Sequence, residues 1–169
     1  MLTICLPSSE RGFWFWRNQF FRLAIGFVLM SDTLAGIHHI RPGDGAAAIQ
    51  AIFERAQSGD EIRFQPGTYR IKPAYPAGHM KAPLRLIGKT GITLLGAEDG
   101  VELFSDGPGE LLLFSGCSNM RNENITFRST GAPVENGDWL YSMIMLYSRN
   151  EKLTFEDCSF LSFGNHALS

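Results

Sequence analysis

Two stretches in the second half of the chain, Met120-Arg-Asn-Glu-Asn-Ile-Thr-Phe127 and Leu153-Thr-Phe-Glu-Asp-Cys-Ser-Phe160, share a pattern that determines the fold. Each contains two short runs in which apolar and polar residues alternate, as expected for strands that are buried on one face. Asn124 and Asp157 occupy the same position between the two runs, where a tight bend needs a residue that tolerates a left-handed backbone. The pattern therefore predicts pairs of strands joined by a bend and repeated along the chain.

The same pattern occurs earlier, in Ile62-Arg-Phe-Gln-Pro-Gly67 and Ile92-Thr-Leu-Leu-Gly96. The four segments begin 30, 28 and 33 residues apart, a period that is typical of stacked repeat units. Consecutive units contain no helix, so they cannot form a parallel sheet through helical crossovers. They can form one by coiling, with each strand about 4.8 Å above the one before it.

The aligned segments predict which side chains share a face of the coil. The predicted inward column is Ile62, Ile92, Met120 and Leu153, and the predicted outward column is Arg63, Thr93, Arg121 and Thr154. A second series of strand-like runs supports the repeat: Leu84–Gly88 aligns with Leu112–Gly116 at 28 residues, and Leu111–Ser115 aligns with Ile144–Ser148 at 33 residues.

One amphipathic helix is predicted before the first repeat, starting at Asp44 and ending near Gly59. Asp44 is placed to accept from the free backbone donors of the first turn, and Gly59 is placed as a left-handed C-terminal cap. A single apolar helix face needs a surface to cover, and the open end of a solenoid provides one. Its apolar residues at i, i+3, i+4 and i+7 are Ile49, Ile52, Phe53 and Ala56.

The composition favours one strand-rich domain and argues against several partners. The chain has 169 residues, 44% of them hydrophobic, with 18 Gly and 13 Phe, which suits many short strands separated by tight turns. A formal net charge of −2 gives no general attraction to nucleic acid, so we expect no nucleic-acid partner. Cys5, Cys117 and Cys158 are too few for a disulfide framework, and His38 and His39 lack further ligands at metal spacing. No metal site is predicted.

Residues 1–35 have the features of a secretory signal in the expected order. Arginines come first, the apolar run Leu23–Met30 follows, and small residues lead up to a predicted cleavage after Ala35. The run is far shorter than the roughly 20 apolar residues of a membrane helix, so we expect no stable membrane anchor. These features predict a secreted or cell-envelope protein whose domain covers residues 36–169. The alternative is a cytoplasmic protein that starts at Met30, with a spurious leader before it.

Over residues 40–169 the sequence resembles the N-terminal portion of the pectin-lyase-like superfamily, which includes pectate lyases, polygalacturonases, alginate lyases and epimerases, and viral tail spikes. The resemblance implies an all-β fold, a right-handed parallel β-helix with an N-terminal capping α-helix. No matching end of the coil is visible, so we expect the chain to be truncated at its C-terminus. The resemblance is carried by Gly59-Asp-Glu-Ile-Arg-Phe-Gln-Pro-Gly-Thr-Tyr-Arg-Ile71, by Leu84–Gly96, and by the Asn-Ile-Thr-Phe and Cys-Ser-Phe repeats.

The resemblance also implies a function. It points to a lyase, glycoside hydrolase or epimerase of uronate-containing polysaccharides, so a polysaccharide is the expected partner. The catalytic motifs of that family usually lie on later turns of the coil, so we assign no catalytic residue and expect this fragment to be inactive. No cofactor is expected; a lyase would use calcium, for which the sequence shows no carboxylate cluster. The competing hypothesis is a noncatalytic β-helix for glycan binding or attachment, and no oligomeric state is predicted.

Three candidate substrate-binding residues lie on the predicted outer face. Arg121 belongs to the outward column, and Glu123 and Glu156 occupy equivalent outward positions on successive repeats, close enough for their carboxyl groups to interact. The alternative interpretation is a solvated polar face.

Three further candidates lie in segments that break or follow the repeat. Trp139 and Tyr141 belong to the insertion Gly131–Tyr141, where an aromatic face could stack on a sugar ring or pack down over the coil. His166 follows a strand, where its imidazole could act as an acid or base or could be an ordinary turn residue. A second insertion, Lys72–Pro83, is the other expected wall of a groove.

Overall fold

Parallel strands make up most of a computed structural model of the chain, which describes residues 34–72, 82–105, 107, 110–130 and 143–162. All of these residues belong to one compact unit. They contain β1 (Ile37–Ile40), α1 (Ala46–Arg55), β2 (Glu61–Phe64), β3 (Gly67–Ile71), β4 (Leu84–Ile87), β5 (Thr93–Gly96), β6 (Val101–Ser105), β7 (Leu112–Ser115), β8 (Ser118–Glu123), β9 (Thr126–Ser129), β10 (Ile144–Tyr147), β11 (Glu151–Glu156) and β12 (Ser159–Ser162).

The strands form three sheets, and after β1 each sheet takes every third strand of the chain. Sheet A has the order β1-β2-β5-β8-β11, sheet B the order β3-β6-β9-β12, and sheet C the order β4-β7-β10. All strand pairs in the described part of the chain are parallel. The prediction of an all-β chain built from repeating parallel strands is therefore confirmed.

The hydrogen-bonded register corrects the predicted alignment at β2 by two residues. Ile62 pairs with Leu94, whereas the sequence pattern placed it beside Ile92. Arg63 therefore pairs with Leu95, whereas the predicted outward column placed it beside Thr93. Side chains alternate with a period of two, so a shift of two residues keeps the same residues facing inward and the pattern cannot detect it.

A second alignment was wrong by one residue, in sheet C. Ile144 pairs with Leu112 and not with Leu111, whereas the predicted pairing of Leu84 with Leu112 is confirmed. Leu111, Leu112 and Leu113 are all fully buried, so this run lacks the alternation of buried and exposed residues that would define its register.

Inward side chains of all three sheets form one hydrophobic core with the helix. Phe127 of β9 is fully buried and stacks on Phe160 of β12 with the ring centroids 5.5 Å apart. At this position like residues stack on like, and each buried large apolar side chain contributes about 1.5–3 kcal/mol. Other core members are Ile40, Phe64, Ile71, Leu86, Leu94, Leu103 and Phe114.

The predicted helix is present and its apolar stripe is buried, but both predicted caps were wrong. Asp44 accepts a hydrogen bond from the backbone N–H of Arg41 at 2.7 Å and so closes the preceding turn, while Gly45 is the N-cap residue. The helix ends at Arg55, and Gly59, with φ of +90°, lies in the following turn. The stripe of Ile49, Ile52, Phe53 and Ala56 lies in the core as predicted.

Helix α1 packs beside β4, the edge strand of sheet C, and one of its polar side chains makes the backbone hydrogen bonds that a neighbouring strand would make. Gln50 accepts from the backbone N–H of Arg85 at 2.7 Å and donates to its carbonyl at 3.3 Å. Lys89 donates to the carbonyls of Glu54 and Ala56, each at 2.7 Å, and so caps the end of the helix. The helix therefore ends without the left-handed glycine cap that the sequence predicted.

Replacement of Gln50 by Met is expected to destabilise the chain by about 1–2 kcal/mol, because both hydrogen bonds to the edge of β4 are lost. The measurement is urea unfolding followed by circular dichroism. Gln57→Met is the matched control; its side chain is exposed, and a change below about 0.5 kcal/mol is expected. Equal losses in the two variants would contradict the edge-covering role of Gln50.

Asp60 joins β1 to the turn between α1 and β2. Its carboxylate is almost fully buried and accepts hydrogen bonds from the backbone N–H groups of Gly36 at 2.7 Å and Gln57 at 2.8 Å. Gly36 bonds to Oδ1 and Gln57 to Oδ2, and the Nε2 atom of His38 also lies 2.8 Å from Oδ2. Burial acts to raise the pKa of Asp60, but these hydrogen bonds and the nearby His38 outweigh it and lower the pKa.

The predicted signal peptide falls almost entirely on residues 1–33, which lie outside the described residues. Both predicted insertions also fall largely outside them. Where the chain is described, no helix is both long and apolar enough to cross a lipid bilayer.

Candidate functional site

The outer face of sheet A carries two rows of side chains that run across its strands. They arise because parallel strands pair in register and every second side chain points outward. The first row is Ile37, Glu61, Thr93, Arg121 and Thr154, and the second row is His39, Arg63, Leu95, Glu123 and Glu156. His39 lies in β1, next to His38.

Three of the predicted substrate-binding residues meet on this face. Glu123 and Glu156 pair across β8 and β11, which confirms their predicted equivalence. The Nη2 atom of Arg121 lies 2.7 Å from Oε2 of Glu156 and 3.0 Å from Oε2 of Glu123. The hydrogen bond to Glu156, together with the charges of both carboxylates, raises the pKa of Arg121. The two carboxylates thus share one guanidinium.

The chemistry of this pair favours binding over acid catalysis. The two Oε2 atoms lie no further apart than the sum of their distances to Nη2 of Arg121, which is shorter than the roughly 6.5–9.5 Å between the carboxyl groups of inverting glycosidases. A glycosidase holds the scissile bond between its two carboxyl groups, whereas here the guanidinium of Arg121 occupies that position. Glu123 and Glu156 are therefore better suited to accept hydrogen bonds from hydroxyl groups.

A groove of about 430 Å³ lies beside the second row, where β2, β5 and β8 end. Its walls combine hydrogen-bonding side chains with small apolar surfaces. The polar lining residues are His39, Arg63, Gln65, Glu98, Glu123 and Asn124, and the apolar ones include Pro66, Leu95 and Ala97.

The bend at Asn124 shapes one side of the groove. Asn124 has φ of 55°, and Asp157 has φ of 51° at the equivalent place in the next repeat, so the predicted left-handed bends are confirmed. Gly96 of β5 lies directly against this bend: a Cβ atom at Gly96 would stand 2.0 Å from the carbonyl oxygen of Asn124. A local sequence pattern does not reveal this need for glycine, because Gly96 and Asn124 are brought together only by the register of the strands.

Two groove residues lie in turns that the sequence analysis left unassigned, Gln65 and Glu98. Arg63 was predicted to face outward but not to belong to a site. Its guanidinium contacts the carboxylate of Glu61 in the neighbouring row. The available signal was a polar residue within two positions of the end of β2, β5 and β8, since successive strands end at the same edge of a parallel sheet.

The other predicted site residues, Trp139, Tyr141 and His166, lie outside the described residues and stay predictions. Within the described ranges, no group of three His, Cys, Asp or Glu side chains is placed to hold a metal ion. Cys117 and Cys158 are both free thiols, and burial raises the pKa of Cys158.

No family model, curated protein or solved structure matches this chain.

Proposed function

We propose that the chain forms turns of a right-handed parallel β-helix, with helix α1 as the cap of its first turn. The cyclic order of sheets A, B and C supports this class, and parallel crossovers within one sheet are almost always right-handed. Within that class we place the chain with the pectin-lyase-like proteins. The resemblance of Gly59–Ile71 to the opening strand and turn of that superfamily supports the choice, since this segment forms β2, a tight turn and β3 directly after α1.

The function that we propose is binding of a uronate-containing polysaccharide in the groove beside the second row. One observation carries it: the groove places a guanidinium, two amides and two carboxylates around small apolar surfaces. Carboxylates accept hydrogen bonds from sugar hydroxyls, and amides both accept and donate them. The apolar surfaces of Pro66 and Leu95 suit the C–H face of a sugar ring. Arg63 supplies the planar donor set that recognises a carboxylate, which favours a uronate over a neutral sugar.

Replacement of Arg63 by Ala is expected to weaken binding of oligogalacturonate or oligoalginate about tenfold, equivalent to ~1.4 kcal/mol. Isothermal titration calorimetry measures the affinity, with a neutral oligosaccharide of the same length for comparison. Arg55→Ala, at the exposed end of α1, is the matched control and should leave the affinity unchanged. Absence of binding by the unaltered chain, or equal losses in both variants, would contradict the proposal.

Cleavage of the bound glycan is a second candidate function, favoured by the closeness of the Glu123 and Glu156 carboxylates. Because Arg121 lies between them, we expect the purified chain to leave pectate and alginate uncut. Release of reducing or unsaturated ends that is abolished by Glu156→Gln would instead favour an enzyme.

A further inference from the structure

A second charged surface lies on the outer face of sheet B, built around one phenylalanine. Arg70, Phe104 and Arg128 pair in register across β3, β6 and β9, so the ring stands between two arginines. The guanidinium carbon of Arg70 lies 5.1 Å from the centre of the Phe104 ring, and that of Arg128 lies 5.5 Å from it. Both distances are within the range of cation–π contacts. We call these three residues the arginine clamp.

The arginine clamp carries an excess of positive charge. Arg128 contacts the carboxylate of Glu102 at 3.2 Å, but Arg70 has no ion pair in the part of the chain that the structure describes. Lys72 follows two residues after Arg70 and is also exposed. Among the described residues of β3, β6 and β9 on this face, one carboxylate therefore accompanies the two arginines, although the chain as a whole has a net charge of −2.

The ring contacts fix the arginines without using their hydrogen-bond donors. Phe104 is only 8% exposed, so its ring is not available as a stacking platform for a ligand. Arg70 is exposed, and the side chain of Arg128 is 41% exposed, so N–H groups of both remain accessible to solvent. A guanidinium held over an aromatic ring loses less side-chain freedom when an anion binds. The ring contacts therefore hold the two guanidinium groups in place.

We propose that the arginine clamp is an anion-binding site that takes two oxyanion groups of one glycan, one at each guanidinium. Arg70 and Arg128 stand two strands apart, which sets a spacing of about 10 Å between the two groups. Carboxylates of a polyuronate and sulfate esters of a sulfated glycan share this chemistry. Thr68 and Thr126 occupy the neighbouring row and provide hydroxyl groups for sugar contacts. The site is separate from the groove on sheet A and does not depend on it.

The test is titration of the ¹⁵N-labelled chain, followed by NMR at the arginine Nε–H signals. The probes are sulfate alone, a sulfated dextran oligosaccharide, an oligogalacturonate and a neutral dextran oligosaccharide. We expect at least one oligoanion to bind about tenfold more tightly than sulfate, and Arg70→Ala and Arg128→Ala each to lose about tenfold. Whichever oligoanion binds more tightly identifies the anionic group.

Substitution of Phe104 distinguishes a site with ordered arginines from non-specific electrostatic attraction. Phe104→Leu keeps every charge but removes the ring, and we expect a severalfold loss that Phe104→Tyr restores. The unfolding midpoint of each variant is measured in parallel, and binding is compared at temperatures where all variants are folded. Unchanged affinity in folded Phe104→Leu would overturn the proposal.

Arg63→Ala separates this site from the groove on sheet A. We expect it to leave the signals of Arg70 and Arg128 and their titration unchanged, even if the groove binds nothing. An equal loss in Arg63→Ala would overturn the claim of a separate site. Tighter binding of a single-stranded DNA oligomer than of either oligoanion would overturn the assignment to glycans.

Discussion

Gly96→Ala is expected to destabilise the chain by about 3 kcal/mol or more, through a clash with the main chain of the next turn. A Cβ atom at this position would lie 2.0 Å from the carbonyl oxygen of Asn124 and 2.8 Å from its carbonyl carbon. A flexible side chain could move aside, but these are backbone atoms of a bend that has a left-handed conformation. Either the bend or strand β5 must therefore shift.

Thermal and urea unfolding of Gly96→Ala measure this loss. Gly45→Ala is the matched control, since a Cβ there meets nothing within 4 Å and the N-cap of α1 has an ordinary extended backbone. A change below about 1 kcal/mol is expected for the control. If Gly96→Ala were as stable as the control, the close packing of β5 against the bend at Asn124 would be wrong.

Asp60→Ala is expected to cost about 3 kcal/mol, because a buried carboxylate with three hydrogen-bonding partners is removed. The backbone N–H groups of Gly36 and Gln57 lose their acceptor, and the imidazole of His38 loses its contact. Strand β1 is then held mainly by its pairing with β2. Asp99→Ala, in an exposed turn, is the control and should change the stability by less than about 0.5 kcal/mol.

The pH dependence of stability gives an independent test of Asp60. Its pKa in the folded chain is lower than the ordinary value of 3.8, so the stabilisation is present above that value and is lost as the pH falls through the lowered pKa. In Asp60→Asn this part of the acid-induced loss should disappear. Identical slopes of unfolding free energy against pH below 4 in both proteins would contradict the role of Asp60.

Alternation of apolar and polar residues was enough to predict the parallel strands, the bends at Asn124 and Asp157 and the buried face of α1. Register was harder, because alternation repeats every two residues and Ile62 faces the core whether it pairs with Leu94 or with Ile92. The choice between these pairings depends on the lengths of the turns and on the packing of neighbouring strands. Both involve residues that are far apart in the sequence, so a local pattern does not contain them.

The ends of α1 were mispredicted for a related reason. Asp44 and Gly59 are ordinary local capping signals, but the helix is capped by Lys89, which a strand of sheet C brings to its C-terminal carbonyls. A contact across more than thirty residues replaces the local signal. Tertiary packing therefore decides where this helix stops.

The candidate site was predicted in part. Alternation placed Glu123 and Glu156 side by side on the outer face, and the structure adds Arg121 as the cation that joins them. The groove itself could not be predicted, because Arg63 and Gln65 approach Glu123 only through the corrected register. A site formed by successive turns depends on which residues are neighbours across the strands. An error of two residues in the register places Arg63 beside Thr93 and away from Glu123, so the site is not seen.

Cross-strand NOEs in a ¹³C,¹⁵N-labelled sample test most directly whether the chain visits three parallel sheets in turn. We expect contacts between Ile62 and Leu94, between Leu94 and Asn122, and between Leu84 and Leu112. Contacts of Ile62 with Ile92 in place of Leu94 would contradict the register that forms the groove. Antiparallel contacts between strands that follow one another in the chain would contradict the fold.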